Sequence, residues 1–140
     1  MECEFPNENA TREEISDILR TSKTIAVIGA STKPERPSNW IYAYLRDQGY
    51  HVIPVNPGQK EILGDKCFPS LADVPEVVDI VDIFRDPAAV PAVVDEAIAK
   101  KAKVIWMQEG IVHNAAAEKA RAAGLKVVMN KCIYKEHSRL

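Results

Sequence analysis

Five short runs rich in valine and isoleucine recur along the chain: TIAVIG (24–29), HVIPV (51–55), VDIVDIF (78–84), KVIWM (103–107) and KVVM (126–129). Each is too short for a helix and is bounded by turn residues, so each reads as a strand. Helical patterns fill the gaps between them. Alternating strands and helices imply a parallel sheet buried on both faces. Crossovers of this kind are right-handed. The expected fold is α/β, a Rossmann-like doubly wound parallel five-stranded sheet of order 3-2-1-4-5 with helices on both faces.

The helices have local signatures. TREEISDILRTS carries a T-x-x-E capping box from Thr11 to Glu14 and packs through Ile15, Ile18 and Leu19. SNWIYAYLRDQG places Trp40, Tyr44 and Gln48 on one face, with Ile41 and Leu45 beside it, and ends at Gly49. DPAAVPAVVDEAIAKK has an apolar stripe at Val90, Val93, Val94, Ala97 and Ile98, with Asp86 as expected N-cap and Pro87 in the first turn. NAAAEKARAAG is capped by Asn114 and ends at Gly124. The segment 58–75 is less regular, with a short strand expected near Lys66–Phe68 and a helical turn from Ser70. Residues 1–10 form an N-terminal tail and 11–140 a single domain.

The bulk numbers exclude several classes. The formal net charge is -2, which gives no electrostatic reason to expect nucleic-acid or membrane binding. No apolar run approaches the ~18 residues of a membrane helix. The N-terminus MECEFPNENA lacks the basic-then-apolar order of a signal peptide, so a cytoplasmic protein is the expectation. Cys3, Cys67 and Cys132 contain no C-x-x-C pair, and His51, His113 and His137 show no metal-ligand spacing. No disulfide framework and no metal site follow. No Ser–His–Asp, Cys–His or paired-carboxylate arrangement is legible, so no catalytic residue is assigned.

In an open sheet of this type, ligands sit outside the carboxyl ends of the strands. There the sequence places Gly29–Asn39, Asn56–Pro57, Arg85–Asp86, Gln108–Gly110 and Asn130–Cys132. The first loop, VIGASTKPERPSN, lacks the G-x-G-x-x-G dinucleotide fingerprint. Gly29 still permits a tight turn and a close approach to a phosphate, and the small Ala30 and Ser31 keep that approach open; any strand-to-helix turn can also use a glycine. Lys33 directly precedes Pro34 and Arg36 sits between Pro34 and Pro37, on a stiffened loop suited to phosphate contacts; the alternative is solvated surface charge. Strand 2 ends in PVNPGQK: neutral Asn56 stands where an NAD-binding fold wants a carboxylate, and Lys60 follows. That favours a phosphorylated ribose, which both NADP and coenzyme A (CoA) carry. The missing glycines count against the pyrophosphate of NAD or NADP. Arg85 either faces ligand or pairs with Asp86 or Asp82. Trp106 and Met107 read as core, and Glu109–Gly110 first as a turn.

Taken together, VIGAS…KPERPS, VIPVNPG, LGDKCFPSLADVP, DIVDIFRDP, VIWMQEGI and VVMNKCIYKEH resemble the stand-alone CoA-binding domain proteins, over residues 12–140. These are similar to the N-terminal CoA-binding domain of the succinyl-CoA synthetase α subunit. The resemblance implies that CoA or an acyl-CoA binds with its nucleotide against Gly29, Ala30, Ser31, Lys33 and Arg36. It adds Val55, Asn56 and Pro57, then Phe84, Arg85 and Pro87, with Gln108, Glu109 and Gly110 lining the far side. The synthetase needs a further domain bearing a phosphorylated histidine and a partner subunit. The chain ends about ten residues after strand 5, so both are expected to be absent, and His113 matches no such histidine.

Three readings follow: a non-catalytic CoA-binding module, a CoA-linked ligase or transferase component needing a partner chain, and an NADP-binding redox protein. The alanine-rich helices and the terminal YKEHSRL leave a homodimer or another protein partner open. Cys132 lies at the end of strand 5. It reads first as a buried inert thiol, and alternatively as a partner for the CoA thiol in a mixed disulfide.

Overall fold

The structure is a computed structural model that describes residues 4–140; Cys3 lies outside them. Thr11 opens helix α1 (Arg12–Thr21) with a reciprocal capping box. The Glu14 N–H donates to Thr11 Oγ1 at 3.1 Å, and the Thr11 N–H donates to the Glu14 carboxylate at 3.0 Å. These bonds satisfy two of the donors that a helix start leaves without partners. The helix buries Ile15, Ile18 and Leu19.

The strands are β1 (Thr24–Ile28), β2 (His51–Val55), the hairpin β3 (Glu61–Ile62) and β4 (Asp65–Lys66), then β5 (Ile80–Ile83), β6 (Val104–Met107) and β7 (Lys126–Val128). Five of them form one parallel sheet in the order β2-β1-β5-β6-β7. Side chains alternate across it. Ala26 and Ile28 meet α3 (Val90–Ala99) and α4 (Asn114–Ala122) on one face. Ile25 and Val27 share the other with α1, α2 (Pro37–Asp47) and α5 (Ile133–Ser138). The protein is thus an α/β, Rossmann-like doubly wound sheet.

The 3-2-1-4-5 pattern holds with a bridge at Phe68 in third place. Phe68 pairs in parallel with Val55 on the outer side of β2. Its N–H donates to the Pro54 carbonyl at 3.0 Å, and its carbonyl accepts from Asn56 N at 2.9 Å. β5 and β6 then follow as fourth and fifth, and β7 extends the sheet. The run at 78–84, third of the five runs in the sequence, therefore lies beside β1 rather than beyond β2. Every residue of β5 is buried, which suits a central strand flanked on both sides; Phe68 needs only one neighbour.

Several local expectations shift. In α2 the buried stripe is Ile41, Tyr42 and Leu45, while Trp40 is 41% exposed. The Tyr42 hydroxyl tolerates this burial by donating to the Asp65 carboxylate at 2.5 Å. Asp86 makes no capping bond. Pro87–Ala89 instead form one 3₁₀ turn before α3 begins at Val90. His113 rather than Asn114 caps α4, its Nδ1 accepting from Ala116 N at 3.1 Å. Asn114 is occupied elsewhere, donating to the Phe5 carbonyl at 2.8 Å and accepting from Asn7 N at 2.8 Å. Asn9 imitates a strand, exchanging two hydrogen bonds with the Met129 backbone at 2.8 and 2.9 Å. The helix α5 was not expected from the sequence.

Candidate functional site

The strand order reverses between β1 and β5, and the loops expected to meet a ligand lie outside their carboxyl ends. Gly29 leaves β1 with φ +87° and donates its N–H to the Val55 carbonyl at 2.9 Å. A Cβ there would stand 2.9 Å from Arg85 Cδ and 2.9 Å from the Phe84 carbonyl oxygen. The close approach that demands glycine is therefore made by the loop after β5. The Arg85 stem lies across Gly29, which joins the first and third loops physically.

The first loop is held from beneath. Asn56 Nδ2 donates to the Ala30 carbonyl at 2.8 Å, while its Oδ1 accepts from Gly58 N at 2.8 Å. Asn56 thus clamps the end of β1 to the end of β2. Val55 and Ala30 are buried and Pro57 is exposed. Ser31 Oγ accepts from Lys33 N at 3.1 Å, and the Ser31 carbonyl accepts from buried Asn39 at 2.8 Å. Lys33 and Arg36 remain exposed and make no ion pair among the described residues. Pro37 stands in the first turn of α2, and no side chain caps that helix start. Pro37 carries no N–H and the Asn39 N–H is bonded to the Arg36 carbonyl at 2.9 Å, so the Ser38 N–H is the donor left at this helix start to meet an anion beside Arg36.

The later loops line a half-open cavity of about 550 Å³. Phe84, Arg85, Pro87, Gln108, Glu109 and Gly110 all line it. The structure therefore splits the expected residues into two groups. Gly29 through Arg36 and Val55–Pro57 do not line the cavity, although Pro37, next to Arg36, does, and Arg85 touches both groups. Arg85 makes no ion pair among the described residues, so it pairs with neither Asp82 nor Asp86. Glu109 is engaged by Lys135 at 3.0 Å, and Gly110 (φ +83°) donates to Asn130 Oδ1 at 2.8 Å. Trp106 and Met107 are fully buried core.

Five cavity residues have no counterpart among those expected: Trp40 and Ile41 from α2, Ile111 after β6, and Tyr134 and Lys135 from α5. Trp40 and Tyr134 meet edge to face with ring centroids 5.3 Å apart. Cys132 is buried and also lines the cavity. The only sequence signal for α5 was the aromatic and charged YKEH, too short to display a period.

Beneath the cavity, Gln108 is buried and bonded at both ends. Its Nε2 donates to Asp82 Oδ1 at 2.5 Å, and its Oε1 accepts from Ile133 N at 3.4 Å. Asp82 is fully buried between Val27 and Trp106 in the sheet, and its second oxygen has no hydrogen-bond partner among the described residues. Burial pushes the Asp82 carboxyl up to about 8, although the bond from Gln108 pulls the other way. Asp82 is therefore largely neutral at pH 7.

No group of three His, Cys, Asp or Glu side chains among the described residues is placed to hold a metal ion. None of the described helices is long and apolar enough to cross a membrane.

Comparisons with known proteins agree with this fold. The uncharacterized protein YneT of Bacillus subtilis is 38% identical over 131 residues, 94% of this chain and 97% of its own. A hypothetical protein from Pyrococcus horikoshii OT3 has a solved structure that superposes with a TM-score of 0.92 at 45% identity, covering 100% of this chain and 99% of that one. The ADP-forming acetate–CoA ligase I of Archaeoglobus fulgidus is 42% identical over 74 residues, which are 53% of this chain and 11% of the ligase. A family model described as a CoA binding domain matches residues 23–138, and the chain belongs to that CoA-binding domain family.

Proposed function

We propose that this protein binds coenzyme A or an acyl-CoA without catalysing a reaction. The phosphorylated nucleotide lies across the carboxyl ends of β1, β2 and β5. Backbone donors after Gly29 and the Ser38 N–H at the start of α2 face the phosphates, and Lys33, Arg36 and Arg85 supply positive charge. Glu35 and Asp86 share these loops, so the excess charge is small and the cations act by placement. The observation that carries the reading is the crossing of Arg85 over Gly29, within the span matched by the CoA-binding domain model. Asn56 supports it, because a neutral clamp at the end of β2 offers the ribose no carboxylate.

The test has two arms. Native mass spectrometry of the purified protein should detect retained CoA or an acyl derivative. Thermal unfolding with CoA at ~100 times its dissociation constant should gain about 2.7 kcal/mol, several degrees in a domain of this size. Equal shifts with CoA, NAD and NADPH would remove the basis for the reading.

A second reading rests on the ligase match. The acetate–CoA ligase carries this domain within a chain of which the match spans only 11%. The present protein would then deliver CoA to a catalytic partner. Acetyl-CoA formation by the purified chain alone would contradict the non-catalytic reading; formation only after addition of a defined partner would favour the second.

A further inference from the structure

The opposite end of the sheet, where the strands begin, carries a separate surface. Two half-open hollows adjoin there and share Ser22. The larger, of about 520 Å³, lies among the ends of α1, α3 and α4; the smaller, of about 420 Å³, lies between the ends of α1 and α2. Arg20, Lys23, Lys101, Lys103 and Lys126 line them, against one carboxylate, Asp79. Asp79 is already engaged: it accepts from the Lys23 and Thr24 N–H groups at 2.8 and 3.0 Å and faces Lys103 Nζ at 3.3 Å. His51, at the rim, is bonded to Glu76. Lys126 also borders Glu14, whose carboxylate accepts from the Thr11 N–H. Arg20, Lys23 and Lys101 make no ion pair among the described residues. The whole chain has a net charge of -2, so this end is strongly polarised. The four helix ends bring roughly half a negative charge each, which offsets only about half of the positive excess.

Lys101 adds an independent observation. The helices α2, α3 and α4 close with the same left-handed turn, in which one residue's N–H and the next return to the same two positions of the helix. That residue is Gly49 (φ +98°) after α2 and Gly124 (φ +93°) after α4, but Lys101 (φ +59°) after α3. A side chain is strained there and glycine is not. The strained residue places an unpaired ammonium at the larger hollow, where the fold makes no use of it.

We infer that this end of the sheet docks an acidic segment of a partner protein, its carboxylates on Lys23, Lys101 and Lys103 and its apolar side chains over Ile18, Ile98 and Leu125 on the floor of the larger hollow. Charge complementarity calls for an anionic occupant, and the apolar floor selects among anions. Inorganic phosphate or a nucleic-acid backbone would leave that floor uncovered. A bilayer takes up apolar groups that project, whereas Ile18, Val104 and Leu125 are buried at the bottom. The inference does not rest on the CoA reading. The two surfaces lie at opposite ends of the strands, so a partner docked here leaves the loops after β1, β2 and β5 open.

Fluorescence anisotropy of the full chain with a short labelled peptide of glutamates, with a leucine at every third position, tests this. The peptide should bind, and its counterpart with glutamine in place of glutamate should bind about tenfold more weakly or worse. Lys23→Gln and Lys101→Gly should each weaken the acidic peptide by up to about fivefold. Lys101→Gly should also raise the melting temperature by a few degrees, because it relieves the strained turn, so its loss of affinity is not a loss of folding. Saturating CoA should leave the peptide affinity unchanged. No peptide binding, equal binding of the two peptides, or an affinity untouched by both variants overturns the inference. Displacement of the peptide by CoA puts it at the carboxyl ends of the strands and also overturns it. Tighter binding of oligo-dT, inorganic pyrophosphate or phosphatidylserine vesicles, lost in the same variants, overturns it in favour of that polyanion. If CoA itself fails to bind, the CoA reading falls and the docking surface still stands or falls on the peptide.

Discussion

Replacing Gly29 by alanine probes the junction on which the site depends. Two costs are readable. The residue sits at φ +87°, where an L side chain is strained by roughly 1–2 kcal/mol. The new Cβ also lies 2.9 Å from two atoms, Arg85 Cδ and the Phe84 carbonyl oxygen. The Arg85 stem can swing aside. The Phe84 carbonyl has less freedom, because the Phe84 N–H is bonded to the Ile28 carbonyl at 2.9 Å. Overpacking of this kind costs a further ~1–3 kcal/mol. The sum, about 3 kcal/mol, lowers the melting temperature by roughly 10 °C in a domain of this size. Gly124→Ala is the control, since Gly124 has φ +93° but nothing within 4 Å of its would-be Cβ. It should cost only the strain, about 1 kcal/mol or a few degrees. Differential scanning calorimetry of both variants separates strain from contact. Gly29→Ala should also weaken CoA binding by about tenfold or more, because the Arg85 stem must leave its place. Equal melting temperatures for the two variants, with CoA affinity intact in both, would refute the contact between Gly29 and the third loop as a feature of the site.

Asp82 predicts an unusual pH dependence. An unfolded Asp loses its proton near pH 4, whereas the folded group holds it to about pH 8. Its contribution is therefore fully present below pH 4 and is lost as pH rises toward 8, by up to about 1.4 kcal/mol per pH unit. Asp82→Asn should flatten that decline in denaturant titrations; parallel wild-type and variant curves would show that burial does not hold the proton. His113→Ala removes the cap of α4 and should cost ~1 kcal/mol, read as a drop of a few degrees in melting temperature; no change would deny it a capping role. Cys132 is buried, so incubation with oxidised CoA should leave it unmodified; a CoA carried on Cys132 by thiol–disulfide exchange, with the second CoA released as its thiolate, would overturn the inert reading. Peptide mass mapping distinguishes that result from an adduct on Cys3 or Cys67, which would give Cys132 no special role.

The strands were legible because β-branched runs bounded by turns have few other uses, and α1 because its capping box is written in four consecutive residues. The place of the 78–84 run was not. Nothing in that run says on which side of β1 the chain crosses, and the short Phe68 bridge carries no alternation to mark it as the outer neighbour of β2. His113 escaped notice as a cap because an asparagine, the commoner choice, stands next to it. The six residues of α5 are too few for a helical period, and the helix is held by Tyr134 packing on Trp40 and Tyr44. For the same reason the loops at the strand ends could be named from topology, but the cavity could not. Its aromatic wall exists only where α2 and α5 meet. The clamp role of Asn56 and the crossing of Arg85 over Gly29 are likewise contacts between distant segments, invisible to spacing.

Direct titration of the wild-type chain with CoA, dephospho-CoA and NADPH under one buffer condition tests the central claim most directly. If the phosphorylated nucleotide is read by cations at the carboxyl ends of the strands, CoA binds and dephospho-CoA binds ~10- to 150-fold more weakly, the worth of one charge-assisted hydrogen bond of ~1.5–3 kcal/mol. NADPH, lacking the glycine-rich loop its pyrophosphate needs, binds more weakly than CoA. No measurable binding of CoA, or binding of NADPH at least as tight, would contradict the account.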